Sequence, residues 1–591
     1  MTNKTTHKTI VQICLLDSSG DSHHRMRWPA RHLAEQAPEW RVINLDFRAE
    51  ERLRWGCEAD FLAILHCGDV DLFPVIQKRK AQGKKTFIEI NDNFYSPQPW
   101  NPVKQRWNSP MVWARYQKLM ELSDGVIVSG PGLVNLLSKR ISNPKKIHVL
   151  ENHFPYDIED FERSWERKPD PHHEIIFGWG GSAGHMADLL SVVPLLRDLL
   201  EKFPQLKIHL MGDPSIQSFV KLPEDRVRYF SWGHVDEYLK FWSGIHVGLV
   251  PLLESGFNEC RSDIKPIEIA GMAAVPVIQK SLPYETFLKQ SGSKSFFTTD
   301  QDLRELLISY LKDPALMREN AKACHSYVGE KRMGKHRRER MELYSQLVAG
   351  VDANSDFEWP FEVGFHELTG TISIPSPSQL VLTSAQQLWN SGQFSQALEV
   401  LTKGMEENPF QSDFGYAELQ FRAKALDSWP IEKFRKRIQE FQESFPEDLR
   451  FDLFLIQIEK DLKMRRTAWW ALIEKVKGFP TDQMYEFAPQ FFNLFAQEIN
   501  SVGAEITDLV EIGDSLLQIF PEFSELQFKM AEIYEQLGRN AESLSLYRSL
   551  LQKKNQLSKS STSPCLSDTP DYVFQVWVGA LEARVTGPSG K

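Results

Sequence analysis

Arg261, Lys265 and Glu268 stand at i, i+4 and i+7 within Pro251-Leu252-Leu253-Glu254-Ser255-Gly256-Phe257-Asn258-Glu259-Cys260-Arg261-Ser262-Asp263-Ile264-Lys265-Pro266-Ile267-Glu268. On a helix they would share one face. Two cations and a carboxylate there suit a nucleotide diphosphate: the cations neutralise phosphate and the carboxylate accepts ribose hydroxyls. The same spacing also makes a plain surface Arg–Glu ladder. A second segment, Gly178-Trp179-Gly180-Gly181-Ser182-Ala183-Gly184-His185, brings glycines to the entrance of a helix. Backbone N–H groups at such an entrance can approach phosphate oxygens. The spacing is Gly-x-Gly-x-x-x-Gly, so the dinucleotide fingerprint fails and a tight turn without ligand is the bland alternative. Two more loops carry candidate groups. Asp21-Ser22-His23-His24-Arg25-Met26-Arg27-Trp28-Pro29 could bring Arg25 or Arg27 to a cleft, and Glu89-Ile90-Asn91-Asp92-Asn93 sets carboxylates at a strand end, Asp92 being the candidate and Glu89 lying inside the strand.

The elements that position these groups are short apolar runs alternating with helical stretches. The pattern predicts strands over 9–16, 41–47, 61–65, 86–90, 125–128 and 147–150, then 175–179, 207–211, 227–230, 246–250 and 275–278. Helices are predicted over 29–36, 74–82 and 112–122, then 185–203, 235–242, 264–272, 283–290 and 302–312. Such alternation implies parallel sheets covered by helices on both faces. A charged, Pro-containing stretch over 157–173 divides it in two. The expected fold is α/β, with two Rossmann-like domains, 1–168 and 169–350, facing a cleft. Ligands of open α/β sheets bind beyond the strand C-terminal ends, so the cleft is the expected site.

Beyond a Gly/Pro/Ser-punctuated linker at 351–380 the chain reads as helices only. Ala385, Leu388, Gly392, Phe394, Ala397, Leu401 and Pro409 follow the small-and-large pattern of tetratricopeptide-like repeats, and Ala531, Tyr534, Gly538, Tyr547 and Leu550 repeat it. Pro446 and Pro480 lie 34 positions apart, one repeat length. Residues 381–555 therefore read as stacked helical hairpins with a groove for a partner, against a generic helical bundle. The tail 556–591 reads as flexible, with a capping segment over 573–585.

Taken together, the two motifs of the second domain resemble glycosyltransferases of the GT-B fold, close to glycosyltransferase family 4. The resemblance rests on Gly178–Gly184, Pro251-Leu252, Phe257-Asn258, Arg261-Ser262, Lys265, Glu268 and Ala274-Val275-Pro276-Val277, in that order, and spans about residues 8–348. It implies a retaining, hexosyltransferase-like enzyme that moves a sugar from a nucleotide-diphosphate sugar to a hydroxyl of a glycan, lipid-linked glycan or protein. The implied roles are catalytic for Arg261, Lys265 and Asp92, and donor-binding for Gly180, Gly181, Ser182, His185, Asn258, Ser262 and Glu268. Arg25 and Arg27 fall on the acceptor side. The family's paired glutamates are matched only at Glu268, because Cys260 stands where the first would be and Glu259 is one residue off. This departure keeps a second reading open: a catalytically inactive GT-B-like scaffold that acts through its repeats. An epimerase on the same fold is a third. No cofactor is expected, the nucleotide-diphosphate sugar being a substrate, and no metal.

Composition bounds the rest. The chain has 591 residues, 42% apolar and 25% charged, with net charge −10. That is the make-up of a multi-domain globular chain and does not suggest nucleic-acid binding. Six cysteines without Cys-x-x-Cys or zinc spacing read as a reduced, cytoplasmic pattern. The polar start of the chain fits no signal peptide, and adjacent His172-His173 is a poor chelating pair. The basic run Lys331, Arg332, Lys335, His336, Arg337, Arg338 and Arg340 is expected either as a solvated helix face or as a contact with membrane lipid or another anion, so any membrane contact would be peripheral, at the inner face.

Overall fold

The computed structural model describes the chain except for residues 1–6, 18–19, 99, 108, 156–157, 352–356, 371–374, 426–428, 480–486, 500–505, 557–574, 577, 579, 583–584 and 586–591. Most of the expected tail thus lies outside the described residues. The chain divides into two compact units, Met1–Trp107 with Arg115–Pro377, and Asn108–Ala114 with Ser378–Lys591.

The first unit contains two parallel sheets. Strands β1 (Thr9–Cys14), β2 (Arg41–Asp46), β3 (Phe61–Leu65), β4 (Lys85–Ile90), β5 (Gly125–Val128) and β6 (Ile147–Val149) belong to the first sheet. Strands β7 (Ile175–Gly181), β8 (Leu206–Gly212), β9 (Val227–Ser231), β10 (Val247–Val250), β11 (Val275–Gln279) and β12 (Phe296–Phe297) form the second. A last strand, β13 (Gly364–Leu368), returns to the first sheet, whose order is β13-β2-β1-β3-β4-β5-β6, while the second runs β12-β11-β10-β7-β8-β9. The runs are apolar on both faces because helices cover both faces of a parallel sheet. In the second domain two cores flank the sheet. One gathers Phe177, Leu196, Leu199 and Leu307; the other gathers Trp242, Ile245, Ile267 and Phe287.

Two boundaries differ from the sequence reading. Helix Glu339–Val348, expected in the second domain, packs Tyr344 and Val348 into the first domain's core with Ile10, Val42 and Phe61. The expected linker holds β13, which pairs with β2 in parallel, Phe365 opposite Val42. Gly364 opens that strand at φ 109°, a left-handed conformation that favours glycine. The chain thus crosses twice between the α/β domains and finishes on the first.

Beyond residue 377 the described elements of the second unit are helices, from Pro377–Asn390 to Asn540–Gln556. Its hairpins close where the sequence pattern places small residues. Ala385 and Ala397 are fully buried with Leu401, and Gly392 and Gly538 take positive φ in the turns. A side chain at Gly404 would meet Val381 and Phe414, so the helices there approach at glycine distance. Among the described residues no helix is long and apolar enough to cross a membrane.

Candidate functional site in the interdomain cleft

Both doubly wound sheets reverse direction at one point: between β1 and β3 in the first, between β7 and β10 in the second. The loops leaving the C-terminal ends at these points form the default ligand crevice. Here the two sets of loops meet directly. Arg261 Nη1 lies 2.9 Å from Asp92 Oδ1. Asn93 Nδ2 donates to the Gly256 carbonyl at 2.9 Å, Gln98 Nε2 to Asn258 Oδ1 at 2.7 Å, and Asn152 Nδ2 to Ser262 Oγ at 2.8 Å. Two doubly wound domains whose C-terminal loops face each other constitute the GT-B architecture expected from the sequence.

Helix Ile264–Gly271 carries Lys265 and Glu268. Arg261 precedes it in an extended conformation (φ −66°, ψ 164°), so the three do not share a helix face as the spacing predicts. The Arg261 guanidinium is instead folded over the Phe257 ring, 4.5 Å from its centroid, and turned to Asp92. Its Nε is buried without a hydrogen-bond partner. Lys265 is 9% exposed, and its ammonium sits 5.3 Å from the Trp179 ring centroid with neither a hydrogen bond nor an ion pair to any described residue. Burial pushes its pKa down to about 8, against the attraction of Asp188. Glu268 is 3% exposed; His24 Nε2 approaches its Oε1 to 3.1 Å without hydrogen-bond geometry, and that oxygen has no donor. A guanidinium nitrogen and a carboxylate oxygen thus stand buried and unsatisfied beside the Lys265 ammonium, where native structures satisfy nearly all such groups.

The glycine segment differs from the expected turn. β7 runs through Gly181, so Gly180 and Gly181 are strand residues. Side chains at those positions would strike the Tyr238 and Trp179 rings, and one at Gly184 would strike Asn101 of the first domain. These glycines therefore serve close packing, and the loop proper begins at exposed Ser182, whose side chain makes no cap bond to the 3₁₀ turn Ala183–His185. His185 Nδ1 bonds Asp188 Oδ2 at 2.8 Å. Burial, helped by Lys265 and Arg261, pushes its pKa down to about 3. A neutral imidazole donating from Nδ1 leaves Nε2 as an acceptor, suited to a hydroxyl and not to a phosphate. Asn258 is used internally, its amide nitrogen donating to Asp188 and to the Leu253 carbonyl.

Asp188, absent from the sequence-based site, is the hub of this loop: 1% exposed, it accepts from His185, Asn258 and the Leu253 N–H. Its one sequence signal is an acid in the first turn of a helix after a glycine loop. Asp21 was also missed. It is exposed to solvent yet closely surrounded, and loss of bulk water, then the neighbouring Asp92, pushes its pKa up to about 6.

The acceptor-side arginines do not stand free in the cleft. Arg25 is buried, with Nε on Glu89 at 2.6 Å and Nη1 on Asn152 Oδ1 at 2.6 Å. Arg27 turns to Glu367 of β13 at 3.0 Å and to the Asp17 carbonyl. Glu89 is wholly buried between Arg25 and Arg340 and is a structural anchor. The basic run is likewise not one solvated helix face: Arg332 is fully buried in a two-bond pair with Asp263, and Arg337 holds Glu151 and Glu339. Cys260 is buried, and desolvation raises its thiol pKa to about 12, so it is neutral near pH 7. Among the described residues no group of His, Cys, Asp and Glu is placed to hold a metal ion.

No family model matches the chain, and no curated protein matches it. Among solved structures it is similar to sucrose-phosphate synthase from Thermosynechococcus elongatus, at 16% identity over 58% of this chain and 100% of that one, TM-score 0.45. It is also similar to Anabaena HepE in complex with UDP and glucose (12% identity, 57% and 100% covered, TM-score 0.43). A third is WaaG, a glycosyltransferase involved in lipopolysaccharide biosynthesis (10% identity, 58% and 100% covered, TM-score 0.41).

Proposed function

We propose that the first unit is a retaining glycosyltransferase whose donor is a nucleotide-diphosphate sugar. One observation carries this reading: Glu268 Oε1 and Arg261 Nε are buried without partners at the switch point of the second sheet, beside the Lys265 ammonium on the Trp179 ring. A ribose hydroxyl satisfies the carboxylate, and a diphosphate satisfies the two cations. As the C1–phosphate bond lengthens, charge grows on the leaving diphosphate, and Lys265 and Arg261 stabilise it where water is scarce. The transition state is oxocarbenium-like. With no carboxylate at position 260, front-face attack is the consistent course, the leaving phosphate taking the acceptor proton. The acceptor enters on the Asp21 and Asp92 side. The helical hairpins of the second unit bind a partner or a protein acceptor through a tetratricopeptide-like groove. Cytoplasmic placement, with peripheral membrane contact at most, remains part of this proposal.

Neutral, buried Cys260 favours the second reading, a catalytically inactive scaffold, because it supplies no charge beside the anomeric carbon. Thermal unfolding with a panel of UDP-, GDP-, ADP- and TDP-sugars tests donor binding. One nucleotide should stabilise wild type, by about 2.7 kcal/mol at 100-fold its Kd, and neither Arg261→Ala nor Glu268→Ala. No shift with any of them would sink the donor site. A donor that binds but is neither transferred nor hydrolysed would leave the scaffold reading standing.

A further inference from the structure

A second cavity lies where the chain crosses between the two α/β domains. The crossings are residues 150–154 and 332–341, joined by Phe154 N–H to the Arg332 carbonyl at 2.7 Å and Gly334 N–H to the Phe154 carbonyl at 3.0 Å. Between them and helix Trp28–Gln36 is a small cavity of about 40 Å³, open to solvent at its mouth. His24, Arg25, His32, His153, Arg337 and Arg340 line it, faced by Glu151 and Glu339.

Donors here outnumber the acceptors left to serve them. Arg25 is 2% exposed; Glu89 and Asn152 take two of its guanidinium nitrogens, and Nη2 has no partner. His24 Nδ1 is buried without a partner, and the half-buried His153 imidazole lines the same wall. The acceptors are committed: Arg337 holds Glu151 at 3.3 Å and Glu339 at 2.9 Å, and the single carboxylate of Glu89 serves both Arg25 and Arg340. Burial holds His153 well below its ordinary pKa, and each charged group that shifts it further, His32, Arg340, His24 and Arg25, is basic. Buried donors without a spare acceptor, in a positive field, are what an oxyanion requires.

We propose that this cavity binds a tetrahedral oxyanion, phosphate or a phosphate monoester, between His24, Arg25 and His153. The site is separate from the Lys265 crevice and does not rest on the glycosyl-transfer reading. It is coupled to that crevice through one imidazole. His24 Nε2 lies 3.1 Å from Glu268 Oε1 and the same ring lines this cavity, so the two sites share one imidazole.

Isothermal titration of the full chain with inorganic phosphate, at constant ionic strength, tests this. Loss of a charge-assisted hydrogen bond should weaken the phosphate Kd about tenfold in His153→Leu, which has no donor. Met341→Glu, which sets a carboxylate at the cavity wall, should do the same and decides alone if the first variant does not fold by circular dichroism. Lys265→Ala should change the Kd by no more than about twofold, because it empties the other site. Glucose 6-phosphate and glucose run beside phosphate separate the sources. Tighter binding of the ester assigns the site to a sugar phosphate, and equal binding assigns it to free phosphate. Absence of binding by either anion, equal binding of glucose itself, undiminished affinity in Met341→Glu, or loss of binding in Lys265→Ala alone overturns the proposal.

Discussion

Lys265→Met separates a functional lysine from a structural one, because it should cost binding and add stability together. The Lys265 ammonium is 9% exposed with its pKa lowered by burial from 10.5 to about 8. For a lysine with a depressed folded pKa, the charged form is a burden on the fold near pH 7, relieved as pH rises from about 8 toward the unfolded value. Replacing it with an apolar side chain of similar length should therefore stabilise the first unit by about 1–3 kcal/mol near pH 7, read from urea unfolding. The donor reads the same proton in the opposite sense. With a pKa of about 8, the amine is roughly 90% charged at pH 7 and roughly 10% at pH 9. A bound diphosphate holds the proton on, so wild-type donor affinity should fall about tenfold between those pH values. The assay is titration calorimetry with the nucleotide sugar that the thermal panel selects. Any ionisation of the base itself affects wild type and variant alike, so the ratio of their affinities isolates Lys265. Affinity flat to pH 9 in wild type, an equal fall in Lys265→Met, or destabilisation by that substitution would refute the reasoning.

Two other substitutions probe the frame. Glu89→Gln removes the one carboxylate between Arg25 and Arg340, and leaving those guanidinium groups buried without it should cost about 3–5 kcal/mol of stability. Burial alone would raise the Glu89 carboxyl, but the two arginines outweigh it and hold it below its ordinary value. Its contribution is thus complete above about pH 4.3 and lost as pH falls through the depressed value, and Glu89→Gln should remove that acid-side slope in urea unfolding across pH 2–5. Gly132→Ala would drive a methyl group into the Glu259 carbonyl across the domain contact. Backbone cannot move aside as a side chain does, so a loss of about 1–3 kcal/mol is expected, with weaker donor affinity measured by the same titration.

The sheets were legible because buried parallel strands leave short, uniformly apolar runs, and those at Phe61–Leu65 and Gly125–Val128 fall where the pattern puts them. β13 was not, because its five residues are only half-buried and sit among glycines and prolines that read as a linker. β7 was read two residues short, missing Gly180 and Gly181, where glycine marks ring packing and not a turn. Arg261, Lys265 and Glu268 were chosen by type and spacing on the expectation of one helix face, whereas Arg261 stands in the loop before the helix that carries the other two. Asp188 and Asn152 carry little signal of their own, since their importance comes from partners distant in sequence. The basic run misled for the same reason: charge density along a chain reads as solvated, yet Arg340 has its carboxylate on Glu89, in a strand of the first sheet.

Those distant partners also decide how closure and chemistry are linked. Arg261 has two competing claims, Asp92 in the closed cleft and, on the donor reading, the diphosphate. Asn152 fixes the closed geometry beside it, accepting from Arg25 through its side chain and from Arg332 through its carbonyl while donating to Ser262. If the diphosphate draws Arg261 away, Asp92 loses its counter-ion while remaining near Asp21. Asp92 pushes the Asp21 pKa up and Arg261 holds it down, so on that reading the departure of Arg261 pushes the Asp21 carboxyl further up. On the proposed reading, donor binding would then reach a carboxyl of the first domain as well as fill the second.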